Sequence, residues 1–129
     1  MPPAMSDPAE HEHHAIDYIE ITVRDVAEAK RFYAAAFGWR FNDYGPGYAG
    51  IVGAGIVGST REVGGLAQGE GKAGGSPLVV LFSRDLAATL AAVREAGGAI
   101  AREPFEFPGG RRFHFADPSG NELAVWGAA

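Results

Sequence analysis

The sequence predicts an α+β fold in which two tandem βαβββ modules make up one domain at residues 15–127. The chain has 129 residues, the length of one ordinary domain. It also matches itself at a shift of 60 positions, which places the segment Arg24–Ala27 on the segment Arg84–Ala87. Each copy begins with an apolar, β-branched segment and continues into a capped helical pattern. We therefore expect modules at residues 15–70 and 76–127, preceded by a disordered leader at residues 1–14.

The first module begins with a predicted strand at Ile16–Val23, where apolar and polar residues alternate from Tyr18 onward. Asp25 follows as a helix N-cap with Glu28 three residues later, and Gly38 suits the left-handed backbone that ends a helix. The helix carries an apolar stripe that we expect to be buried, namely Val26, Ala29, Tyr33, Ala36 and Phe37. Turn residues then separate three short strands, at 39–42, 48–52 and 56–66.

The second module repeats this order of elements. A strand is predicted at 78–83, Asp85 is the N-cap of the second helix, and Gly97 and Gly98 end that helix. The buried stripe of this helix is expected at Leu86, Leu90 and Val93. Three short strands follow at 99–103, 111–116 and 122–126. Asp117–Gly120 fits a type I turn between the last two strands, because proline is its second residue and glycine its fourth.

Composition excludes several classes of protein. The chain has no cysteine, so it has neither disulfides nor thiolate metal sites. A net charge of -5, with no basic cluster beyond Arg111 and Arg112, argues against binding to nucleic acid. No apolar run approaches the roughly 20 residues of a membrane span, and no signal peptide is apparent, so we expect a cytoplasmic protein. The 19 glycines lack the context of a phosphate-binding loop and suit tight turns instead.

Two segments resemble the vicinal oxygen chelate superfamily, which includes glyoxalase I, extradiol dioxygenases, methylmalonyl-CoA epimerase and the bleomycin resistance proteins. They are DVAEAKRFYAAAFGW at 25–39 and GRRFHFADPSGNELAVW at 110–126, and the resemblance covers about residues 15–127. It implies that the two modules form a curved mixed sheet around a cleft that holds a small ligand. It also implies a homodimer, because many members are dimers. Such a resemblance identifies a fold much better than it identifies a reaction.

The superfamily's usual site holds one divalent metal through four ligands. The resemblance places those positions at Tyr18, Leu78, Ala124 and about Gly64. Leucine and alanine cannot coordinate a cation, and a neutral tyrosine is a poor ligand for magnesium, manganese or zinc. We therefore expect neither the usual metal nor another cofactor. A register shift of two residues would instead bring Glu62 and Glu122 to these positions as metal ligands.

Strand alternation extends these positions to a candidate ligand site that is half apolar and half polar, as small-molecule pockets usually are. Its candidate residues are Tyr18, Glu20, Thr22, Leu78, Val80, Phe82, Arg112, His114, Ala124 and Trp126. The candidate catalytic residues within this set are Glu20, His114 and Tyr18.

Each polar candidate also has a structural interpretation. Glu20 is either a general base or a strand residue that faces solvent or pairs with Arg112. His114 is either an acid–base group or a histidine with satisfied hydrogen bonds, and Arg112 is either an anion clamp or an ion-pair partner. Trp126 is either a core or dimer-interface residue or a stacking platform. The histidines at 11, 13 and 14 can bind transition metals adventitiously.

Two functions remain open, with a protein-interaction module as a weakly supported third. The first is a metal-free protein that binds a small organic ligand in the cleft between the modules. The second is a lyase, an isomerase or a dioxygenase-like enzyme that acts on a small carbonyl or aromatic substrate. In that enzyme Glu20 would be the base, His114 or Tyr18 its partner and Arg112 the anchor. One metal per subunit in the cleft would contradict the first function, and unchanged turnover after Glu20→Gln would remove Glu20 from the second.

Overall fold

The computed structural model describes residues 11–53, 61–69 and 77–128. These residues form two compact units, one over Tyr18–Pro77 and one over Leu78–Ala129 together with the N-terminal segment that ends at Asp17. The eight described strands form one mixed β-sheet, and each module has four of them and one helix in the order βαβββ, which confirms the predicted α+β fold with two βαβββ modules. None of the described helices is long and apolar enough to cross a membrane.

The first module consists of β1 (Ile16–Val23), α1 (Val26–Phe37), β2 (Arg40–Asp43), β3 (Tyr48–Val52) and β4 (Glu62–Gln68). Its strands lie in the order β2-β3-β4-β1. β1 and β4 are parallel, and the other pairs are antiparallel. The strand predicted at 56–66 begins outside the described residues, and its described part extends to Gln68.

Helix α1 begins and ends where the sequence predicts. The Asp25 side chain accepts a hydrogen bond from the backbone N–H of Glu28 at 3.2 Å, and Gly38 has the left-handed φ of 72°. The predicted buried stripe is wrong beyond Val26, since Phe37 is 63% exposed. The reason is that the aromatic rings of the last turns pack on one another, with Tyr33 stacked on Trp39 at 4.7 Å. Helical periodicity identifies an apolar face but does not show what covers it.

The second module consists of β5 (Leu78–Phe82), α2 (Leu86–Glu95), β6 (Ala99–Phe107), β7 (Gly110–Ala116) and β8 (Glu122–Gly127). Its strands lie in the order β5-β8-β7-β6, with β5 and β8 parallel. Asp85 caps α2 through the backbone N–H of Ala88 at 3.1 Å, as predicted. The predicted turn between β7 and β8 is also present, because the N–H of Gly120 donates to the carbonyl of Asp117 at 2.9 Å.

The N-terminal residues 11–14 are part of the second unit, which differs from the disordered leader predicted for residues 1–14. The N–H of His14 donates to the carbonyl of Phe82 at 2.7 Å, and His13 Nδ1 accepts from the N–H of Arg84 at 2.9 Å. His11 is 4% exposed. This polar segment is ordered because its backbone and imidazoles find partners on β5 and beside it, which local composition does not show. Residues 1–10 lie outside the described residues.

Candidate functional site

Five polar side chains meet on one face of the sheet in the first module, and we call them the tyrosine–glutamate cluster: Tyr18, Glu20, Tyr44, Tyr48 and Glu62. The hydroxyls of Tyr18 and Tyr48 lie 2.6 Å apart, and Tyr48 donates to Glu20 Oε2 at 3.3 Å. Tyr44 donates to Glu62 Oε2 at 2.9 Å. Tyr18 is 3% exposed and Glu20 is 9% exposed. The sequence predicted Tyr18 and Glu20 as site residues but gave no indication of Tyr44 or Tyr48. It indicated Glu62 only as a metal ligand in a shifted register.

Two glycines make room for this cluster. Gly50 on β3 pairs with Gly65 on β4, and Gly65 also pairs with Glu20 on β1. A Cβ on Gly50 would lie 1.4 Å from Glu62 Oε1, and a Cβ on Gly65 would lie 1.9 Å from the Tyr48 hydroxyl. Glycine within a strand often marks such a close approach, so these glycines were the available sequence signal.

A β-bulge decides which β4 residue joins the cluster. The register shifts between Ile51 and Val52, so that Val52 pairs with Glu62 and Ile51 with Gly64. Side chains alternate between the faces of a strand, and the extra residue at the bulge places Glu62 on the side of Gly50. Gly64 pairs with Ile19 and lies on the opposite face from Tyr18 and Glu20. Gly64 therefore faces away from the cluster, whereas Glu62 faces into it.

The electrostatics of the cluster keep its phenols protonated. Burial is the main cause that raises the pKa of Tyr18 and of Tyr48 far above the usual value, and neighbouring carboxylates add to it. Burial and then the hydrogen bond to Glu62 raise the pKa of Tyr44 to about 12. These groups can donate hydrogen bonds but cannot act as bases near neutral pH. Glu62 Oε1 is buried and has no hydrogen-bond partner within the described ranges.

The second unit carries most of the other predicted site residues on one face of its part of the sheet. His114 pairs with Ala124 and Arg112 with Trp126, between β7 and β8. Between β5 and β8, Val80 pairs with Ala124 and Phe82 with Trp126, and alternation along β5 puts Leu78 on the same side. The structure thus brings together Leu78, Val80, Phe82, Arg112, His114, Ala124 and Trp126.

Strand β6 adds two residues to this face that sequence reasoning missed. Phe105 pairs with Arg112, and Arg102 pairs with His114. The guanidinium carbon of Arg102 lies 3.7 Å from the centre of the Phe105 ring, and that of Arg112 lies 5.3 Å from it. Arg102 and Phe105 are three residues apart on β6 and share a face only because the register of this strand shifts between them, so no sequence motif predicts their contact.

His114 is oriented by a carboxylate. Its Nδ1 lies 2.9 Å from Glu122 Oε2, and the residue is 8% exposed. Burial is the main cause that lowers the pKa of His114; Arg112 and Arg102 lower it further, while Glu122 opposes the change. The imidazole is therefore neutral near pH 7. Its Nε2 is buried and makes no hydrogen bond to any residue that the structure describes.

The apolar end of this face is covered by the N-terminal segment. Trp126 Nε1 donates to Asp17 Oδ2 at 2.9 Å, and Asp17 Oδ1 lies 2.6 Å from His11 Nδ1. The His11 ring lies 5.2 Å from the Phe82 ring and 5.0 Å from that of Trp126. Phe82 and Trp126 are thus core residues, in contact with a histidine that the sequence analysis assigned to the leader.

Thr22 lies on the same face of β1 as Tyr18 and Glu20, and it borders a cavity of about 750 Å³ between β1 and α1. Apolar side chains, including Ile21, Val23 and Phe32, provide most of the lining. The charged rim is internally paired, because Arg24 forms an ion pair with Glu28 at 3.1 Å.

The donor set does not fit the metal centre of the superfamily. Leu78 and Ala124 carry no donor atom, and the Tyr18 hydroxyl is hydrogen-bonded to Tyr48. In the residues described, no three His, Asp or Glu side chains are grouped so that they could hold a metal ion. The shifted-register alternatives, Glu62 and Glu122, are hydrogen-bonded to Tyr44 and His114 respectively.

Comparisons with known proteins agree with this fold. Residues 15–125 match the family model described as Glyoxalase/Bleomycin resistance protein/Dioxygenase superfamily. A comparison with curated proteins gave no match.

Three solved structures are similar at low identity. An NAD-dependent benzaldehyde dehydrogenase from Legionella pneumophila aligns with a TM-score of 0.66 and 15% identity over 87% of this chain and 98% of that one. A methylmalonyl-CoA epimerase from Mycobacterium tuberculosis aligns with a TM-score of 0.63 and 17% identity over 88% and 87%. The Mn(II)-bound glyoxalase from Novosphingobium aromaticivorans aligns with a TM-score of 0.61 and 23% identity over 91% of this chain and 42% of that one. These identities show the fold alone, whereas the match to the family model covers most of the sequence. The chain therefore belongs to the Glyoxalase/Bleomycin resistance protein/Dioxygenase superfamily.

Proposed function

We propose that this protein binds a small organic molecule through the tyrosine–glutamate cluster, without the four-ligand metal centre of its superfamily. The observation that carries the proposal is the buried oxygen Glu62 Oε1, which lacks a hydrogen-bond partner throughout the described residues. Leaving a buried polar group unsatisfied costs about 1–3 kcal/mol, and more where the group is charged. An O–H or N–H on a ligand would satisfy this oxygen.

The surrounding side chains support an organic ligand. All three phenols of the cluster already donate within it, with Tyr48 donating to Glu20 and Tyr44 to Glu62. The cluster therefore offers carboxylate oxygens as acceptors beside aromatic rings. A small ligand with a hydrogen-bond donor and an apolar or aromatic body would match these groups, as in most small-molecule sites.

The proposal without metal rests on donor chemistry. Leu78 and Ala124 have no side-chain atom that can coordinate a metal. The Glu62 carboxylate already accepts a hydrogen bond from the Tyr44 hydroxyl. The two carboxylates of the cluster each accept from a phenol, and two carboxylates do not make the tetrahedral or octahedral set that divalent metals require.

Native mass spectrometry of the full chain, with elemental analysis of the same sample, tests both parts. The expected result is an organic mass adduct that survives treatment with a chelator and is lost in Glu62→Gln. Glu103→Gln is the matched control, because Glu103 is an exposed glutamate that pairs with Arg94. One tightly held divalent metal per chain, required for the adduct, would overturn the metal-free proposal. An adduct equally abundant in Glu62→Gln would overturn the assigned site.

An enzyme of the lyase or isomerase type is the second candidate, and the buried carboxylate of Glu20 favours it. Glu20 is 9% exposed, and a phenol of the cluster that turned its proton from its present acceptor to a substrate could stabilise negative charge developing on a carbonyl oxygen. In such a reaction Glu20 would remove a proton next to that carbonyl. Loss of turnover in Glu20→Gln with retained ligand binding would support this function. A dioxygenase-like reaction is a weaker candidate, since it requires a metal that the donor set does not fit.

The homodimer that the resemblance implies also remains a proposal. Light scattering coupled to size-exclusion chromatography measures the mass directly, and a monomer at micromolar concentration would contradict it.

A further inference from the structure

We infer that Glu122 holds His114 in the tautomer with the proton on Nδ1, so that Nε2 accepts a hydrogen bond from the O–H or N–H of a bound ligand. The statement about the ligand rests on the proposed binding function, whereas the statement about the tautomer does not. The inference concerns a polar anchor within the second unit, and it is argued separately from the tyrosine–glutamate cluster of the first unit.

The tautomer follows from the chemistry of the pair. A carboxylate oxygen only accepts hydrogen bonds, and Glu122 Oε2 lies 2.9 Å from His114 Nδ1. The proton of this bond therefore belongs to Nδ1. In a neutral imidazole the other nitrogen then carries a lone pair, and the partner of one nitrogen decides the state of the other. Burial, which lowers the pKa of His114, favours the neutral ring.

The surroundings of Nε2 indicate that a ligand is its missing partner. His114 is 92% buried, and Nε2 is hydrogen-bonded to none of the residues described. Across the strand pair stands Ala124, whose methyl group occupies little space. The Phe105 ring lies 5.9 Å from the imidazole and offers an apolar wall. An aromatic or aliphatic alcohol, phenol or amide could place its donor on Nε2 and its body against this wall.

Nitrogen NMR of the full chain with labelled histidines tests the tautomer without any ligand. The expected spectrum shows the His114 Nδ1 signal in the protonated range and its Nε2 signal in the unprotonated range. Glu122→Ala should move a large share of the population to the opposite tautomer, while Glu103→Ala should leave the His114 signals unchanged. A proton on Nε2 in the unaltered protein would overturn the inference, whatever Glu62→Gln does to ligand binding.

Phenol and anisole then test the ligand contact as a matched pair, because anisole has the same ring but no O–H. Phenol should shift the Nε2 signal and anisole should not. Glu122→Ala should lower the affinity for phenol about fivefold, which corresponds to the loss of one hydrogen bond of ordinary strength between phenol and Nε2. Equal shifts with both compounds, or none with either, would overturn the ligand contact. If phenol binds as expected while Glu62→Gln retains its native adduct, the site proposed at Glu62 fails and this inference stands.

Discussion

The direction of the hydrogen bonds in the tyrosine–glutamate cluster predicts unequal costs for two similar substitutions. Each phenol has one proton, and Tyr48 donates its proton to Glu20 Oε2. The proton between the two tyrosine hydroxyls, which lie 2.6 Å apart, therefore comes from Tyr18. Tyr48→Phe leaves a buried donor on Tyr18 without its acceptor, and it also removes the donor to Glu20. Tyr18→Phe removes only one of the hydrogen bonds that Tyr48 makes.

The magnitudes follow from the burial of these groups. Tyr18 is 3% exposed, so water cannot replace the lost acceptor without entering the core. An unsatisfied buried group costs about 1–3 kcal/mol, whereas an ordinary hydrogen bond contributes about 0.5–1.5 kcal/mol net. We expect Tyr48→Phe to lower the free energy of unfolding by about 2 kcal/mol and Tyr18→Phe by about 1 kcal/mol. The double variant should lose less than the sum, because the two residues interact directly.

Urea unfolding followed by circular dichroism measures these differences. With a denaturant slope of about 2 kcal/mol per molar urea, Tyr48→Phe should lower the unfolding midpoint by about 1 M. Tyr33→Phe is the control, since Tyr33 lies on α1 and its ring stacks on Trp39 outside the cluster. A cost for Tyr18→Phe equal to or above that of Tyr48→Phe would refute the assigned direction. Strict additivity in the double variant would refute the contact between the hydroxyls.

Three further predictions concern Glu62, Asp17 and His114. Glu62→Gln should lower the pKa of Tyr44 from about 12, because the lost negative charge no longer opposes ionisation; ultraviolet titration measures this, and an unchanged value would contradict the contact. Asp17→Asn should speed amide hydrogen exchange at residues 11–14, because an amide cannot accept from both His11 and Trp126; unchanged exchange by mass spectrometry would argue against this anchor. Burial lowers the pKa of His114 in the folded protein, so the unfolded chain, where the pKa is about 6.5, binds the proton more readily. The contribution of neutral His114 to the free energy of unfolding should therefore be complete above pH 6.5 and should be lost as the pH falls below it. Between pH 7 and pH 5, the free energy of unfolding measured in urea should fall more for the unaltered protein than for His114→Gln. Equal decreases would contradict the lowered pKa of His114.

Features that depend on neighbouring residues were predicted well. Asp25 and Asp85 cap the two helices as expected, because a short acidic side chain reaches the backbone N–H three residues later without help from distant contacts. Strand alternation correctly placed Val80, His114 and Ala124 on one face, since it depends only on the two-residue period of the pleat.

Features that depend on distant packing were missed. The exposure of Phe37 depends on what covers α1, and helical periodicity contains no information about that cover. His11 is buried because the N-terminal segment meets Phe82 and Trp126, which lie far along the chain. Glu62 joins the cluster because a bulge shifts one strand by a residue, and the alternation of residues along the sequence does not show where a bulge lies.

The sequence by itself determined the module order, the helix caps, the turn before β8 and the membership in a superfamily, because each depends on local chemistry or on a repeated pattern. Its glycine excess pointed to turns, yet Gly50 and Gly65 lie inside strands to admit Glu62 and Tyr48. Only the tertiary structure decided which polar atoms remain without partners, since a hydrogen bond depends on tenths of an ångström between strands that are distant in sequence. Glu62 Oε1 and His114 Nε2 became candidate ligand contacts for that reason.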